Sequence, residues 1–165
     1  MAAKHNSGNT QSNNTTLPMN IHPLPPVGSI VWAYFPLVGN STVPGPKDRP
    51  ALVTGHVPNR HAIEVAYGTS SPKVNQIYPG EFVVQKEHTS DFRQTKLSRT
   101  TKFDMGNTKI LPFNTHWFTT APVQPGQPHP TSPSLGSLPI SYYPAATSAA
   151  QTARLRKQQV KGKAS

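Results

Sequence analysis

The β-branched and aromatic runs in this chain are all short, and glycine or proline punctuates them. "SIVWAYF" (29–35) stops at Pro36, "ALVTGHV" (51–57) stops at the turn Pro58-Asn59-Arg60, and "AIEVAYG" (62–68) closes on its own glycine. "EFVVQ" (81–85) is a further short run. Runs of this length and composition are strands rather than helices. "TKFDM" (101–105) and "KILPF" (109–113) flank Gly106-Asn107, which suggests a hairpin, and Pro112 places the last run at a sheet edge or at a strand end. One short helix is expected over 92–97, "FRQTKL", capped by Ser90 or Asp91. Five or six short strands with one short helix predict a mainly β fold: a small, strongly curled antiparallel barrel, whose closure hides the strand edges.

Composition sets the limits of that fold. Residues 1–26 are mostly Asn, Ser, Thr and Pro with a single charge, Lys4, and 119–165 holds seven prolines between Pro122 and Pro144 before a Lys/Arg-rich end. Neither flank carries enough periodic apolar residues to offset its ordering entropy, so both are expected to be disordered. The domain is then 27–118, enough for one modest core. The whole chain carries a formal charge of +10. Residues 27–118 hold ten Lys/Arg against six Asp/Glu, and the tail adds Arg154, Arg156, Lys157, Lys161 and Lys163 with no acid. Such a balance favours polyanionic partners. With no cysteine there is no disulfide framework and no thiolate chemistry. No apolar run has the length of a signal peptide or a membrane span, so a soluble cytoplasmic protein is expected.

Motifs for familiar chemistry are few. The chain has no GxSxG, no P-loop, no Rossmann glycine pattern and no metal-ligand spacing; His56 and His61 are the closest histidine pair, and a turn separates them. No metal and no cofactor are expected. Arg49 is the better lead: Pro50 holds it extended at the entrance of the second strand, beside Lys47 and the long loop 37–48. Thr69, Ser70 and Ser71 follow the third strand, and Gly68 permits close backbone approach. If those strands pair through the turn at 58–60, residues 50 and 68 are equidistant from residue 59. Arg49 and Thr69 then meet at one rim. A guanidinium and a hydroxyl converging there suit a phosphate.

"GSIVWAYFP" (28–36), a Gly/Pro loop, "RPALV" (49–53) and "EVAYGTSS" (64–71) together resemble the PemK/MazF toxins of toxin–antitoxin systems, over about residues 27–118. The resemblance implies an SH3-like barrel that commonly dimerises, cleaves single-stranded RNA without metal, and is covered by an antitoxin protein. It implies attack of the 2′-OH on the adjacent phosphorus, leaving a 2′,3′-cyclic phosphate and a 5′-OH. Arg49 matches the family's Arg-Pro arginine and would stabilise the pentavalent phosphate; Thr69 matches its hydroxyl residue and would bond a non-bridging oxygen. Ser70, Ser71 and Lys47 would add substrate contacts, and Trp32, Tyr34 or Phe35 a stacking surface for unpaired bases. Asp104 matches the family's acidic residue near the last strand end.

One region departs from that pattern. Residues 97–118 run into Gly106-Asn107 where active members of that family continue into a charged helix. Two other functions therefore stay open: a non-catalytic barrel that binds a protein or nucleic acid, and a toxin that acts on a protein such as DNA gyrase, as CcdB-type proteins do.

Overall fold

A computed structural model describes residues 16–163. In chain order the elements are β1 (Ser29–Ala33), β2 (Arg49–Val57), β3 (Ala62–Thr69), β4 (Glu81–Val84), α1 (Thr89–Thr95), β5 (Thr101–Pro112), β6 (Ser134–Ser137) and α2 (Tyr143–Lys163). The six strands form one antiparallel sheet in the order β4-β5-β3-β2-β1-β6. The fold is mainly β, as the short runs imply.

The sheet is open rather than closed into the expected barrel, because β4 and β6 stand at its two ends without pairing to each other. Its edges are protected by cover instead of closure. The backbone oxygens of Gln94 and Thr95 press on β6 at Gly136, and Ala149 and Ala153 of α2 lie against Gly80, beside β4. Covering an exposed edge is an alternative to closure as a way to hinder pairing with another chain.

Both faces of the sheet are buried. Successive strand residues point to opposite sides. Ile30, Leu52, Ala66 and Phe103 therefore pack on one face with Phe92 of α1 and Ala149 of α2. Val31, Val53, Val65 and Leu111 pack on the other with Phe113 and Phe118. Two-sided burial explains why "SIVWAYF" is almost continuously apolar instead of alternating.

The proline-rich C-terminal segment, expected to be disordered, is ordered through residue 163. β6 pairs with β1, Trp32 N–H donates to Pro133 O at 3.0 Å, and Leu138 N–H donates to Gly28 O at 2.8 Å. The apolar signal in α2 is made of alanines: Ala146, Ala149 and Ala153 are buried at helical spacing. Alanine is a weak hydrophobe and the best helix former, so such a stripe does not stand out in a hydropathy reading. Pro144 lies in the first turn of α2, where its missing N–H costs nothing.

The expected N-terminal disorder falls partly on residues 1–15, which lie outside the described residues. Residues 16–26 form a strap. Ile21 N–H donates to Phe113 O at 3.0 Å, His61 Nε2 lies 2.8 Å from Ile21 O and His56 Nε2 lies 2.6 Å from Pro25 O. These two histidines are anchors for the strap.

Two local expectations also change. Gly106-Asn107 is not a hairpin turn; β5 is one strand of 12 residues with an irregularity. The β3 partners jump from Thr108 to Asp104 between Ala66 and Tyr67, leaving Met105, Gly106 and Asn107 bulged out. Asp104 Oδ1 accepts the Gly106 N–H at 2.9 Å and Gly80 O accepts the Met105 N–H at 2.8 Å, so the bulge keeps partners for its backbone. The short helix starts at Thr89, with His88 at its N-cap and no side-chain cap from Ser90 or Asp91. Among the described residues no helix is long and apolar enough to cross a membrane.

Candidate functional site

Two loops and three strand ends meet at one end of the sheet. β1 and β2 pair Ala33 with Arg49 and Trp32 with Pro50, and β2 and β3 pair Ala51 with Tyr67. Carried two residues outward, the second register sets Arg49 opposite Thr69. The irregularity in this pair falls nearer the turn, between Val53 and Gly55, and leaves the outer half symmetric about Asn59. Gly68 fixes how close the strands come: a methyl group there would overlap Pro50 O and crowd the Phe103 ring.

Alternation settles the faces. Arg49 lies on the side of Ala51 and Val53, and Thr69 on the side of Val65 and Tyr67; these all share one face. The half-buried Arg49 guanidinium sits 5.6 Å from the Tyr67 ring centroid, a cation–π distance, and Phe35 braces that ring edge-on at 5.2 Å. Thr69 Oγ1 accepts the Ser71 N–H at 3.3 Å, which leaves its own proton to donate outward. Ser70 and Ser71 are exposed at the strand exit.

The same row continues into β5, where Thr69 pairs with Lys102. No motif in the sequence points to Lys102. It is 8% exposed, its Nζ lies 2.9 Å from Glu81 Oε2 and donates to Gln76 O at 2.8 Å, and it stands 5.4 Å from the Tyr78 ring centroid. One row inward, Tyr67 pairs with Asp104 and Asp104 with Glu81. The face therefore presents a guanidinium stacked on a ring, a hydroxyl and a neutralised ammonium in adjacent strands. Finding Lys102 required the β3–β5 register, which the expected hairpin at Gly106-Asn107 hides.

The other expected site residues divide. Asp104 is half-buried on the Arg49 face, with Oδ1 bonded to Gly106 N–H. Lys47 is exposed at the end of the loop leading into β2. Tyr34 is half-buried just past β1, and its backbone bonds to Trp117 O and to the Gly45 N–H. Phe35 is core, at 4% exposure. Trp32 pairs with Pro50, packs with the α1/α2 face and donates Nε1–H to Asp48 Oδ2, so it lies on the opposite side of the sheet from Arg49. Among the described residues no three His, Asp or Glu side chains gather into a metal-binding group. The sequence matches no model of a known protein family and no curated protein sequence.

Proposed function

We propose that this protein is a metal-independent endoribonuclease of the toxin type, acting on single-stranded RNA at the Arg49–Thr69 face. One observation carries this reading: Arg49 and Thr69 lie in adjacent strands, on one face and at one end of the sheet, where Gly68 holds the strands close. A planar, permanently charged fork beside a hydroxyl donor suits a phosphodiester whose charge rises as a fifth oxygen adds.

In the proposed reaction an RNA 2′-oxygen bonds to the adjacent phosphorus, the P–O5′ bond breaks, and the products are a 2′,3′-cyclic phosphate and a 5′-OH. The proton of the 2′-OH leaves to a base, solvent water supplies the proton that the departing 5′-oxygen takes up, and the base returns its proton to solvent. Arg49 stays protonated throughout, so its task is charge stabilisation and not proton abstraction. Thr69 donates to a non-bridging oxygen. Asp104, one row behind Thr69 on the same face, is the carboxylate assigned to receive the 2′-OH proton. The six-stranded sheet would be a variant of the SH3-like barrel, with a homodimer as the working form.

The test is direct. The purified chain, incubated with single-stranded RNA in excess chelator, is expected to yield cyclic-phosphate and 5′-OH ends, and Arg49→Ala is expected to yield none while keeping its circular dichroism spectrum. Intact RNA under all conditions would remove the proposal.

A second reading, a sheet domain that docks a protein without chemistry, draws on the two loops beside the site. Val38 is 98% and Leu37 58% exposed on one, and Tyr78 is 62% and Ile77 57% exposed on the other. Paired apolar lips beside the Arg49 face suit a protein segment, such as an antitoxin's, laid across the site, so this feature is compatible with the nuclease as well.

A further inference from the structure

Thr69 and Ser70 are consecutive, and so are Arg49 and Pro50, yet within each pair the two residues serve opposite faces of the sheet. Pro50 and Ser70 open onto a cleft of about 240 Å³ that also takes in Trp32, Ser98, Arg99 and Gln124. The cleft exists because the C-terminal segment is ordered. Trp32 N–H donates to Pro133 O at 3.0 Å, Thr119 N–H donates to Trp32 O at 3.1 Å, and Gln124 Nε2–H donates to Lys96 O at 3.0 Å, which ties the far wall to the end of α1. The indole is held in place through its own Nε1–H to Asp48. Among the described residues no carboxylate lines the cleft, and Arg99 is exposed at it.

We infer that this cleft is a nucleobase pocket, which reads the base next to the phosphodiester held by Arg49 and Thr69. This rests on the proposed RNA reading and adds its sequence selectivity. The volume is below the range of roughly 300–1,000 Å³ for drug-sized ligands, which suits an occupant of the size of a single base. The chemistry matches the same occupant. A restrained indole face stacks a base, a guanidinium donates two parallel bonds to adjacent acceptors, guanine O6 and N7 above all, and the Ser70 and Ser98 hydroxyls donate or accept. Its position fits as well. A strand crossing the sheet end between residues 49–50 and 69–70 leaves its phosphate on one face and turns its neighbouring base into the other.

The probes are single-stranded homopentamers of A, C, G and U carrying 2′-O-methyl groups, which remove the attacking hydroxyl and block cleavage. Binding is measured by anisotropy on the unaltered chain and on Arg99→Gln, and by Trp32 emission in Trp117→Phe, where Trp32 is the only tryptophan. The G pentamer is expected to bind at least about tenfold tighter than the others and to quench Trp32. Arg99→Gln is expected to erase that preference while residual binding through Arg49 persists. Tight binding without quenching, or a base preference unchanged in Arg99→Gln, overturns the pocket and leaves the nuclease reading standing. No binding by any pentamer overturns both.

Discussion

The Arg49 guanidinium lies over the Tyr67 ring, 5.6 Å from its centroid, with Tyr67 itself braced edge-on by the buried Phe35. The charged fork is thus aimed by an aromatic face, which leaves its N–H donors for a ligand. On the proposed nuclease reading, Tyr67→Leu is expected to lower RNA cleavage about tenfold, mainly in kcat, by loosening that aim. Tyr67→Phe keeps the ring and is expected to stay within about twofold. The phenol and the ring are separated by comparing the two variants under single-turnover conditions.

If the nuclease proposal holds, the fork geometry counts for more than the charge. Arg49→Lys keeps one positive charge and loses the planar pair of donors, so cleavage is expected to fall by about 100-fold or more, near the loss in Arg49→Ala. Near-normal activity in the lysine variant would mean that only a point charge is needed.

Gly68 holds the two strands of the site together, because an added methyl meets Pro50 O and the Phe103 ring. Gly68→Ala is expected to destabilise the fold by about 1–3 kcal/mol, through strand displacement and not through φ strain. Urea unfolding measures the loss, and cleavage is expected to fall further than stability because residues 49 and 69 separate.

The Lys102–Glu81 pair tests whether its ions are structural. Their side chains are only 10% and 12% exposed, and Glu81 Oε2 also accepts the Tyr78 N–H at 2.7 Å. Glu81→Gln or Lys102→Met alone leaves a largely buried charge unpaired and is expected to cost on the order of 3 kcal/mol. The double variant is expected to cost less than the sum of the two, which a double-mutant cycle by denaturant unfolding will show.

α2 divides into two parts at Ala153, its last buried residue. Beyond it Arg154, Arg156, Lys157, Lys161 and Lys163 are exposed, with no acidic neighbour in the helix. Replacing these five by Gln is expected to leave Tm within a few degrees. The same change should make the salt dependence of RNA affinity shallower by roughly 2 or more, at about 0.7 for each phosphate no longer neutralised. Truncation at Pro139 instead removes Tyr142, Ala146 and Ala149 from the core and is expected to unfold the chain.

What the sequence makes legible follows from the range of each interaction. β1, β2 and β3 are readable because their apolar runs and breaks are local, and the turn at 58–60 fixes a register that sets Arg49 against Thr69. The course of β5 is not readable: its bulge is stabilised by Gly80 and Asp104, and Gly80 lies far away in the chain. The hairpin signal at Gly106-Asn107 therefore misleads, and Lys102 is lost with it. α2 is obscured because alanines carry its packing face, and the Pro122–Pro144 stretch because its order comes from contacts with Trp32, Gly28 and Lys96. Trp32 is recognisable as an aromatic of interest, but only the pairing with Pro50 tells that it faces away from Arg49.

If Arg49 and Thr69 grip the same phosphodiester, their contributions to the rate are not independent, and a kinetic double-mutant cycle reads this out. Single-turnover cleavage rates are compared for the unaltered chain, Arg49→Lys, Thr69→Val and the pair. Strong coupling is expected, with the double variant hardly slower than the worse single one. Fully multiplicative losses, or rates that ignore Thr69, would show that the two side chains do not share a phosphate.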